Sequence, residues 1–375
     1  MAVVGSRGAE RRQHTERDNR AFEEACARRP PRLLSLLRSF APRGIGRCTM
    51  HKRLFALTLT VAAAALALPL SAAAQAWPAK PVRMVIPFPA GGATDIIGRT
   101  SAQKLSSALG QQVVVDNKPG AGGTIGADMV AKAPADGYTL LMSTSSTHSI
   151  GPALNPKLPY DAFKDFAPVA QVANAPSVLV VGGSFPAATA QDLVKLIKAN
   201  PGKYNFGSSG IGTYPHLAAE MFKWRAGGLF VVHIPYRGTG LVVSDLIAGQ
   251  IGFLMDSIVS AQTHIAAGRV RPLAVSGAQR SASLPNVPTF TEAGVPGMDF
   301  SNWFGVLAPA GTAPEIVARL NRELNAIVKD PEMAAALARS GAEVSGGTPA
   351  QFAKVIRDEH DNWKVVIQRA GIKAD

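Results

Sequence analysis

The chain has 375 residues and a formal net charge of +13, and that charge is concentrated near its start. Residues 1–53 hold 13 of the 39 Lys and Arg residues and 5 of the 26 Asp and Glu residues, so the remainder carries only +5. Both cysteines, Cys26 and Cys48, also lie in this segment. The remainder therefore has no disulfide framework, no cysteine nucleophile and no cysteine-bound metal. Its length is enough for about two domains.

Residues 50–76 have the pattern of a cleavable export signal. Met50 is followed by a basic tripeptide, by an uncharged apolar stretch over 54–68, and by small residues. The apolar stretch is shorter than the roughly 20 residues that a membrane-spanning helix needs. We expect cleavage before Trp77, with Met50 as the true initiator. Residues 1–49 are then a non-native upstream extension, because a basic arm for nucleic acid would need aromatic or folded support that this segment lacks.

After the signal, strand and helix patterns alternate. Strands are predicted at 82–86, 113–115, 139–142, 204–206, 230–234, 251–255 and 270–275, and a second set of units begins near residue 178. A helix is predicted after residue 95, where Ile97, Ser101, Leu105 and Leu109 repeat at i+4 spacing, and another is predicted to run to about residue 133 with Thr124 as its cap. Further helices are predicted after Thr189, with Asp192 in a capping box, and at 314–328, 331–340 and 349–370. Strands separated by helices indicate an α/β fold with parallel pairing.

Three loops rich in glycine or hydroxyl side chains come directly after predicted strands, at 87–95, 143–149 and 207–213. Glycines let backbone N–H groups approach a ligand, and helix N-termini add unpaired donors and the positive end of a dipole. In open α/β sheets such loops gather at the carboxyl ends of the strands. Tight turns or helix caps would explain any one loop, but three loops on two domains favour an anion site.

The spacing of residues in this sequence does not match the catalytic and nucleotide-binding motifs that we compared with it. The dinucleotide-binding register breaks at Ile125, no Walker A sequence is present, and the residues around Ser209 do not form a nucleophile elbow. The seven histidines are scattered without a zinc-binding motif. His148 and His216 follow polar loops and are candidates to donate to an anion, whereas His233 lies inside a predicted strand and is interpreted as a core residue.

Several segments together carry a family resemblance. Residues 87–95 (PFPAGGATD), 117–123 (NKPGAGG), 135–140 (ADGYTL) and 235–240 (PYRGTG) resemble the Bug-type solute receptors, which are the extracytoplasmic binding proteins of tripartite tricarboxylate transporters. The resemblance continues in order through 207–216, 284–290 and 303–312, and it covers essentially all of 77–375. Two departures adjoin these loops, with Leu241 in place of the usual proline and Gly252 where an acidic residue is common.

The resemblance implies a periplasmic-binding-protein fold of the Venus-flytrap type, with two α/β domains joined by crossing hinge strands near 178–181 and 301–307. Domain 1 is expected over 77–176 plus 301–375, and domain 2 over 177–300. The implied function is a monomeric periplasmic receptor that needs no cofactor or metal and binds no nucleic acid. It captures a small carboxylate, such as a di- or tricarboxylate, an aromatic carboxylate or an amino acid, for the transporter's membrane subunits. The alternative is a secreted hydrolase or another enzyme that uses the same cleft.

The resemblance also assigns site residues. Backbone N–H groups of Gly91, Gly92, Ala93 and Thr94 are expected to hold one carboxylate, and Asp95 to support that loop. Expected polar contacts are Thr94, Thr147, His148, Ser208, Ser209, Gly212, Thr213 and His216. Tyr236, Gly238 and Asp256 are expected to shape the far end, and Phe88 to form an apolar wall. Arg237 is a secondary candidate, because an exposed arginine in a loop is usually only solvated.

Overall fold

The structure is a computed structural model that describes residues 77–373. The export signal and the upstream extension predicted for residues 1–76 lie outside the described residues. The strands are β1 Val82–Ile86, β2 Val113–Asn117, β3 Thr139–Thr144, β4 Phe166–Gly182, β5 Asn205–Ser208, β6 Val232–Pro235, β7 Phe253–Ser257, β8 Val270–Val275, β9 Ser301–Pro309 and β10 Glu343–Val344. The helices are α1 Ala93–Leu109, α2 Thr124–Ala131, α3 Gly151–Leu154, α4 Ala190–Ala199, α5 Tyr214–Arg225, α6 Thr239–Ile247, α7 Ile258–Ala266, α8 Pro314–Val328, α9 Pro331–Ser340 and α10 Pro349–Ala370.

One long strand, β4, belongs to two sets of paired strands. Up to Pro176 it pairs antiparallel with β9, which pairs antiparallel with β3, and β3 is followed by β1 and β2 in parallel. From Ser177 onward β4 pairs antiparallel with β7 and β8, while β5 pairs parallel with β6 and β7. We call these sets the first and second half-sheets. The chain crosses between them at Pro176 and Ser177, and returns at the start of β9.

Each half-sheet is covered by helices on both faces, because its strands alternate between two apolar sets. In the first, Met84 packs with α1 and α8, whereas the next residue, Val85, packs in a second cluster that includes Phe352 of α10. In the second, Leu179 packs with α4 and α5, and Val180 packs with α6 and α7.

Local signals explain where the helices begin and end. The predicted capping box at α4 is present, since the Thr189 side chain accepts the backbone N–H of Asp192 and the Asp192 side chain accepts that of Thr189. The predicted bounds of α8, α9 and α10 match the structure, and α9 and α10 end at Gly341 and Gly371 in the left-handed conformation.

Three predictions of local structure were wrong. The strand placed at 178–181 begins twelve residues earlier, at Phe166, because pairing with β9 extends it. Thr124 is the first residue of α2, and Gly123 occupies the N-cap position. The expected loop at 143–149 instead continues β3 to Thr144 and then forms a single π-helical turn over Ser146–Ile150. That turn feeds directly into α3.

Candidate ligand-binding cleft

A small cavity of about 40 Å³ lies where loops of the two half-sheets meet, beyond the carboxyl ends of β1, β3, β5 and β7. This is the edge at which open α/β sheets bind ligands. It is lined by Phe88, Pro89, Gly92, Ala93, Thr94, Thr144, Ser146, Ser209, Tyr214, Pro215, Gly238, Thr239, Asp256, Ser257 and Asn302. We call it the carboxylate cavity, because its donors suit that group.

The structure brings seven of the sequence-predicted residues to this cavity: Phe88, Gly92, Ala93, Thr94, Ser209, Gly238 and Asp256. Tyr236 lines a neighbouring groove instead. The remaining eight, which are Gly91, Asp95, Thr147, His148, Ser208, Gly212, Thr213 and His216, do not line the cavity, and most of them make hydrogen bonds that fix the surrounding loops. The predicted site thus divides into a lining set and a supporting set.

Four helices begin at the cavity. The N-cap positions of α1, α5, α6 and α7 are Gly92, Thr213, Gly238 and Ser257, and of these only Ser257 makes a side-chain cap, by accepting the N–H of Val259. The first N–H groups of a helix have no partner within the helix, and the dipole adds positive potential there. In contrast, the two capping boxes, at α4 and α10, involve Thr189 and Thr348, which are not among the residues lining the cavity. The first turns of α1 and α6 therefore offer N–H donors to an anion here, whereas α5 offers fewer, because the Ser146 hydroxyl accepts the N–H of Tyr214 and Pro215 has none.

The loop before α1 is fixed by Asp95. Its carboxylate accepts the backbone N–H of Gly91 at 2.9 Å, the Arg99 guanidinium at 2.9 Å and the Asn117 amide at 2.9 Å. Asn117 also donates to the Phe88 carbonyl at 2.9 Å. Burial alone would raise the pKa of Asp95, but these hydrogen bonds outweigh it and lower the pKa. The carboxylate therefore stays ionised and saturated with donors.

The hydroxyl-rich segment after β3 contains some residues that line the cavity and others that are buried away from it. Thr144 and Ser146 line the cavity, and the Ser146 hydroxyl accepts the backbone N–H of Tyr214 at 2.9 Å. Thr147 and His148 are buried, and His148 Nδ1 lies 2.8 Å from the Ser143 hydroxyl. The His148 ring packs edge-on against Phe166 and stacks on Tyr160. Burial lowers the pKa of His148 to about 3, so the imidazole is neutral and supports the loop from behind.

The loop after β5 is held by its own polar side chains. Thr213 donates to the Gly210 carbonyl at 2.6 Å, and His216 Nδ1 accepts the N–H of Gly212 at 3.2 Å. The Ser208 hydroxyl lies 2.7 Å from His233 Nε2. Burial, with smaller contributions from His233 and Lys223, lowers the pKa of His216 to about 3. A neutral His216 can accept this N–H, which leaves Ser209 as the side chain of the loop that lines the cavity.

Asp256 is the one ionisable carboxyl among the described residues that line the cavity, and no Lys, Arg or His lines it. Asp256 is buried, and its two oxygens accept the backbone N–H of Ser257 at 2.8 Å and the Ser260 hydroxyl at 2.6 Å. Burial raises the pKa of Asp256 to about 6 despite both hydrogen bonds. An anion bound here would be held by neutral donors rather than by an ion pair.

A second depression, which we call the mouth groove, has a volume of about 260 Å³ and shares Phe88, Pro89, Ser209 and Gly238 with the carboxylate cavity. The other lining residues are Pro119, Gly120, Ala121, Gly122, Gly123, Gly210, Ile211, Pro235, Tyr236 and Arg237. The groove is therefore mostly apolar, and Arg237 is the one charged residue among those described that line it. The two depressions adjoin at these shared residues.

Behind the carboxylate cavity lies a third space of about 380 Å³, lined in part by Glu359 of α10. The Glu359 carboxyl accepts the Ser145 hydroxyl at 3.0 Å and the indole N–H of Trp303. Both donors neighbour cavity residues in the chain, namely Thr144, Ser146 and Asn302. Burial raises the pKa of Glu359 to about 7, although these hydrogen bonds oppose the rise.

Eight lining residues were not predicted: Pro89, Thr144, Ser146, Tyr214, Pro215, Thr239, Ser257 and Asn302. Pro89, Thr144 and Ser146 lie inside the predicted loops at 87–95 and 143–149 but were not singled out there. Four more, Tyr214, Pro215, Thr239 and Ser257, lie within two residues of a predicted site residue. Asn302 is different, because it is a buried amide within β9 and no motif marks it. Within residues 77–373 there is no cluster of three or more potential metal ligands, and no helix long and apolar enough to cross a membrane.

Comparison with known proteins decides the family. Residues 97–372 match the family model described as the tripartite tricarboxylate transporter family receptor, TctC. The chain belongs to this family. The resemblance to Bug-type receptors seen in the sequence is thereby confirmed, and TctC proteins are periplasmic solute receptors.

Solved structures of TctC-like proteins agree in fold. The periplasmic binding protein BugD is 33% identical, with a TM-score of 0.76 over 80% of this chain and 100% of that chain. Rpa4515 from R. palustris, solved with adipate, is 37% identical, with a TM-score of 0.77 over 79% and 99%. MatC from Rhodopseudomonas palustris, with bound malate, is 31% identical, with a TM-score of 0.74 over 78% and 100%. The predicted α/β fold of a periplasmic binding protein is confirmed for this TctC receptor.

Proposed function

We propose that this TctC receptor captures a small carboxylate-bearing solute between its two domains and delivers it to the membrane subunits of a tripartite tricarboxylate transporter. The observation that carries the proposal is the convergence of three helix N-termini without side-chain caps on one cavity without a basic side chain. Such a cavity binds a carboxylate through N–H and hydroxyl donors. The adipate and malate bound to Rpa4515 and MatC support a carboxylate as the ligand class.

The two domains are proposed to be residues 77–176 with 301–375, and residues 177–300. The crossing of β4 at Pro176 and Ser177, and the return of the chain at the start of β9, support this division. The cavity takes donors from both parts, with Thr94 on one side and Ser209 on the other. Binding should therefore close the domains on the ligand. Scattering in solution should show compaction when the right carboxylate is added, and unchanged dimensions at saturation would contradict closure.

We further propose that the receptor is exported and cleaved before Trp77, and that it works as a monomer. The pattern of residues 50–76 supports export, in keeping with the periplasmic receptors of its family. The intact mass of the exported protein is the test. A mass that includes residues 1–49 would show that Met50 is not the initiator, and sedimentation at micromolar concentration would reveal a dimer.

The decisive experiment for function is native mass spectrometry of the purified protein, which detects a retained small acid. A thermal-shift series should then compare adipate and malate with their uncharged diamides, since a bound ligand stabilises the folded state by RT ln(1+[L]/Kd). We expect the acids to raise the melting temperature and the diamides to have no effect. Recovery of each stabilising acid unchanged after incubation supports a receptor. Its conversion to a product would favour the alternative of an enzyme in the same cleft.

A further inference from the structure

The relative sizes of the two adjoining depressions suggest how a ligand would be placed. The carboxylate cavity is much smaller than the mouth groove, about 40 Å³ against about 260 Å³ by the same measure. Helix N-termini without side-chain caps lie at the smaller space, so one carboxylate group is placed there. The rest of the solute then extends past the residues that the cavity shares with the mouth groove.

The mouth groove then sets the chemistry of the remaining part. Its volume is about 260 Å³, and its walls are mainly glycine, proline and the side chains of Phe88 and Ile211. Such walls favour an alkyl or aromatic body, because burying apolar surface is favourable and few polar groups are available to pair with. A strongly hydrated body, such as a sugar, would lose water contacts here without replacement.

Arg237 is the candidate to contact the end of the ligand that lies away from the carboxylate cavity. It is exposed, lines the groove, and has no hydrogen bond or ion pair with any of residues 77–373. Its chain neighbour Gly238 lines both depressions, so the guanidinium belongs to the segment where the body of the ligand would emerge. A guanidinium has five N–H donors in a planar fork that matches a carboxylate. Arg237 is thus available for a second anionic group.

We propose that the solute is a dicarboxylate whose two acidic groups are separated by an apolar body. One carboxylate occupies the carboxylate cavity, the body lies in the mouth groove, and the second carboxylate pairs with Arg237. This inference rests on the proposed function, and it narrows the ligand class from carboxylates in general to long or aromatic diacids. Tricarboxylates and amino acids, which place several charged groups close together, fit this arrangement poorly.

Titration calorimetry on the full chain tests the proposal with two matched series. The probes are straight-chain dicarboxylates of four to eight carbons and monocarboxylates of the same lengths, with terephthalate and benzoate as an aromatic pair. We expect each long diacid to bind at least about threefold tighter than its monoacid, since exposed ion pairs contribute modestly, and the gain to shrink with added salt. The diacid affinities should pass through a maximum at one length, because the two anion sites are a fixed distance apart.

Arg237→Gln should abolish the difference between diacids and monoacids, while leaving monoacid affinities within about twofold. Arg339→Gln is the matched control, because Arg339 is an exposed arginine of α9 outside all three cavities, and its loss changes the net charge equally. Diacid preference that survives Arg237→Gln would overturn the proposal. So would an equal loss of affinity for both series, which would mean that Arg237 only attracts anions from solution. Failure of every carboxylate to bind the wild type would instead contradict the proposed function.

Discussion

The carboxylate of Asp95 accepts the backbone N–H of Gly91 at 2.9 Å, so this acidic side chain closes its own loop beside a cavity proposed to bind anions. This bond agrees with the expectation from the sequence that Asp95 supports its loop. Its neighbour Thr94 lines the cavity. Two adjacent residues therefore have separable tasks, with Thr94 proposed to contact the ligand and Asp95 to shape the loop.

This separation predicts different results for two variants. Asp95→Ala removes the acceptor of Gly91, Arg99 and Asn117, and should lower the free energy of unfolding by about 1–3 kcal/mol, as the loss of hydrogen bonds to a charged group does. Thr94→Val keeps the volume and should leave stability almost unchanged while it weakens carboxylate binding. Urea unfolding and calorimetry measure both. If Asp95→Ala tightened binding at unchanged stability, the carboxylate would face the cleft after all.

Binding should depend on pH through Asp256. Because burial raises its pKa to about 6, Asp256 becomes ionised as the pH rises through that value and then repels a bound carboxylate. We expect affinity to fall between about pH 5.5 and 7.5, a range in which carboxylate ligands themselves stay ionised. Asp256→Asn retains an acceptor for Ser260 and should remove most of this dependence. A pH profile that is the same in wild type and variant would exclude Asp256 as its source.

Stability should depend on pH through Glu359. Its pKa is raised from 4.5 to about 7, so the folded protein retains a proton that the unfolded chain loses above about pH 4.5. The free energy of unfolding therefore falls as the pH rises from about 4.5 to 7, and the contribution is lost above that range. Glu359→Gln keeps an acceptor for Trp303 and a donor for Ser145, and should reduce the fall by about 1–3 kcal/mol.

Denaturant unfolding at about pH 5 and pH 8, on either side of the folded-state pKa, measures this effect. Asp256 contributes a fall of the same sign at somewhat lower pH, so the Glu359→Gln slope should be reduced rather than flat. Fluorescence offers a second measurement, because Trp303 donates to Glu359 in the wild type. Its emission should change in the wild type only, near the pKa of about 7. An identical emission titration in the variant would place the titrating group elsewhere.

Closure should depend on Gly238. A Cβ at this position would lie 2.5 Å from the Pro89 ring on the opposite side of the cleft, and the residue has a φ of +120°. Gly238→Ala should therefore hold the domains apart and weaken carboxylate binding at least tenfold. Gly249→Ala is the control, since Gly249 has a φ of +77° but open space around its Cβ. Gly249→Ala should lose about 1 kcal/mol of stability to backbone strain. Gly238→Ala should lose about 1–3 kcal/mol, because its φ of 120° and ψ of 162° lie in a region almost confined to glycine, and only Gly238→Ala should lose affinity.

Local sequence signals were sufficient for the helices and insufficient for β4. A proline at the first helical position marked α8, α9 and α10, and terminal glycines marked the ends of α9 and α10, because these signals lie within a few residues of the helix ends they specify. In β4, Pro168 and Pro176 interrupt the apolar pattern. An interrupted pattern of this kind predicts a loop rather than a strand. The structure accommodates Pro168 at one of two register shifts in the pairing with β9, a long-range arrangement that no local pattern encodes.

The residues of the site, like the strands and helices, could be predicted from the sequence only in part. The glycine-rich loops in the sequence pointed to Gly92 and Gly238, which line the cavity, because a backbone can approach a ligand closely only where the residue is small. The choice between Ser146, which lines the cavity, and His148, which does not, depends on the π-helical turn that rotates successive side chains. Asn302 could not be found, because a single amide in a strand is informative only once the neighbouring strands β3 and β4 are placed beside β9.

The position of β9 between β3 and β4 has a consequence for how the protein is made. All strands of the second half-sheet follow one another along the chain, so that part can fold soon after its synthesis. The first half-sheet lacks an inner strand until residues 301–309 have been added, long after β3 is complete. Pairings between such distant segments are slow to form and leave apolar strands uncovered meanwhile. A nascent chain stalled before β9 should therefore be a strong substrate for holding chaperones.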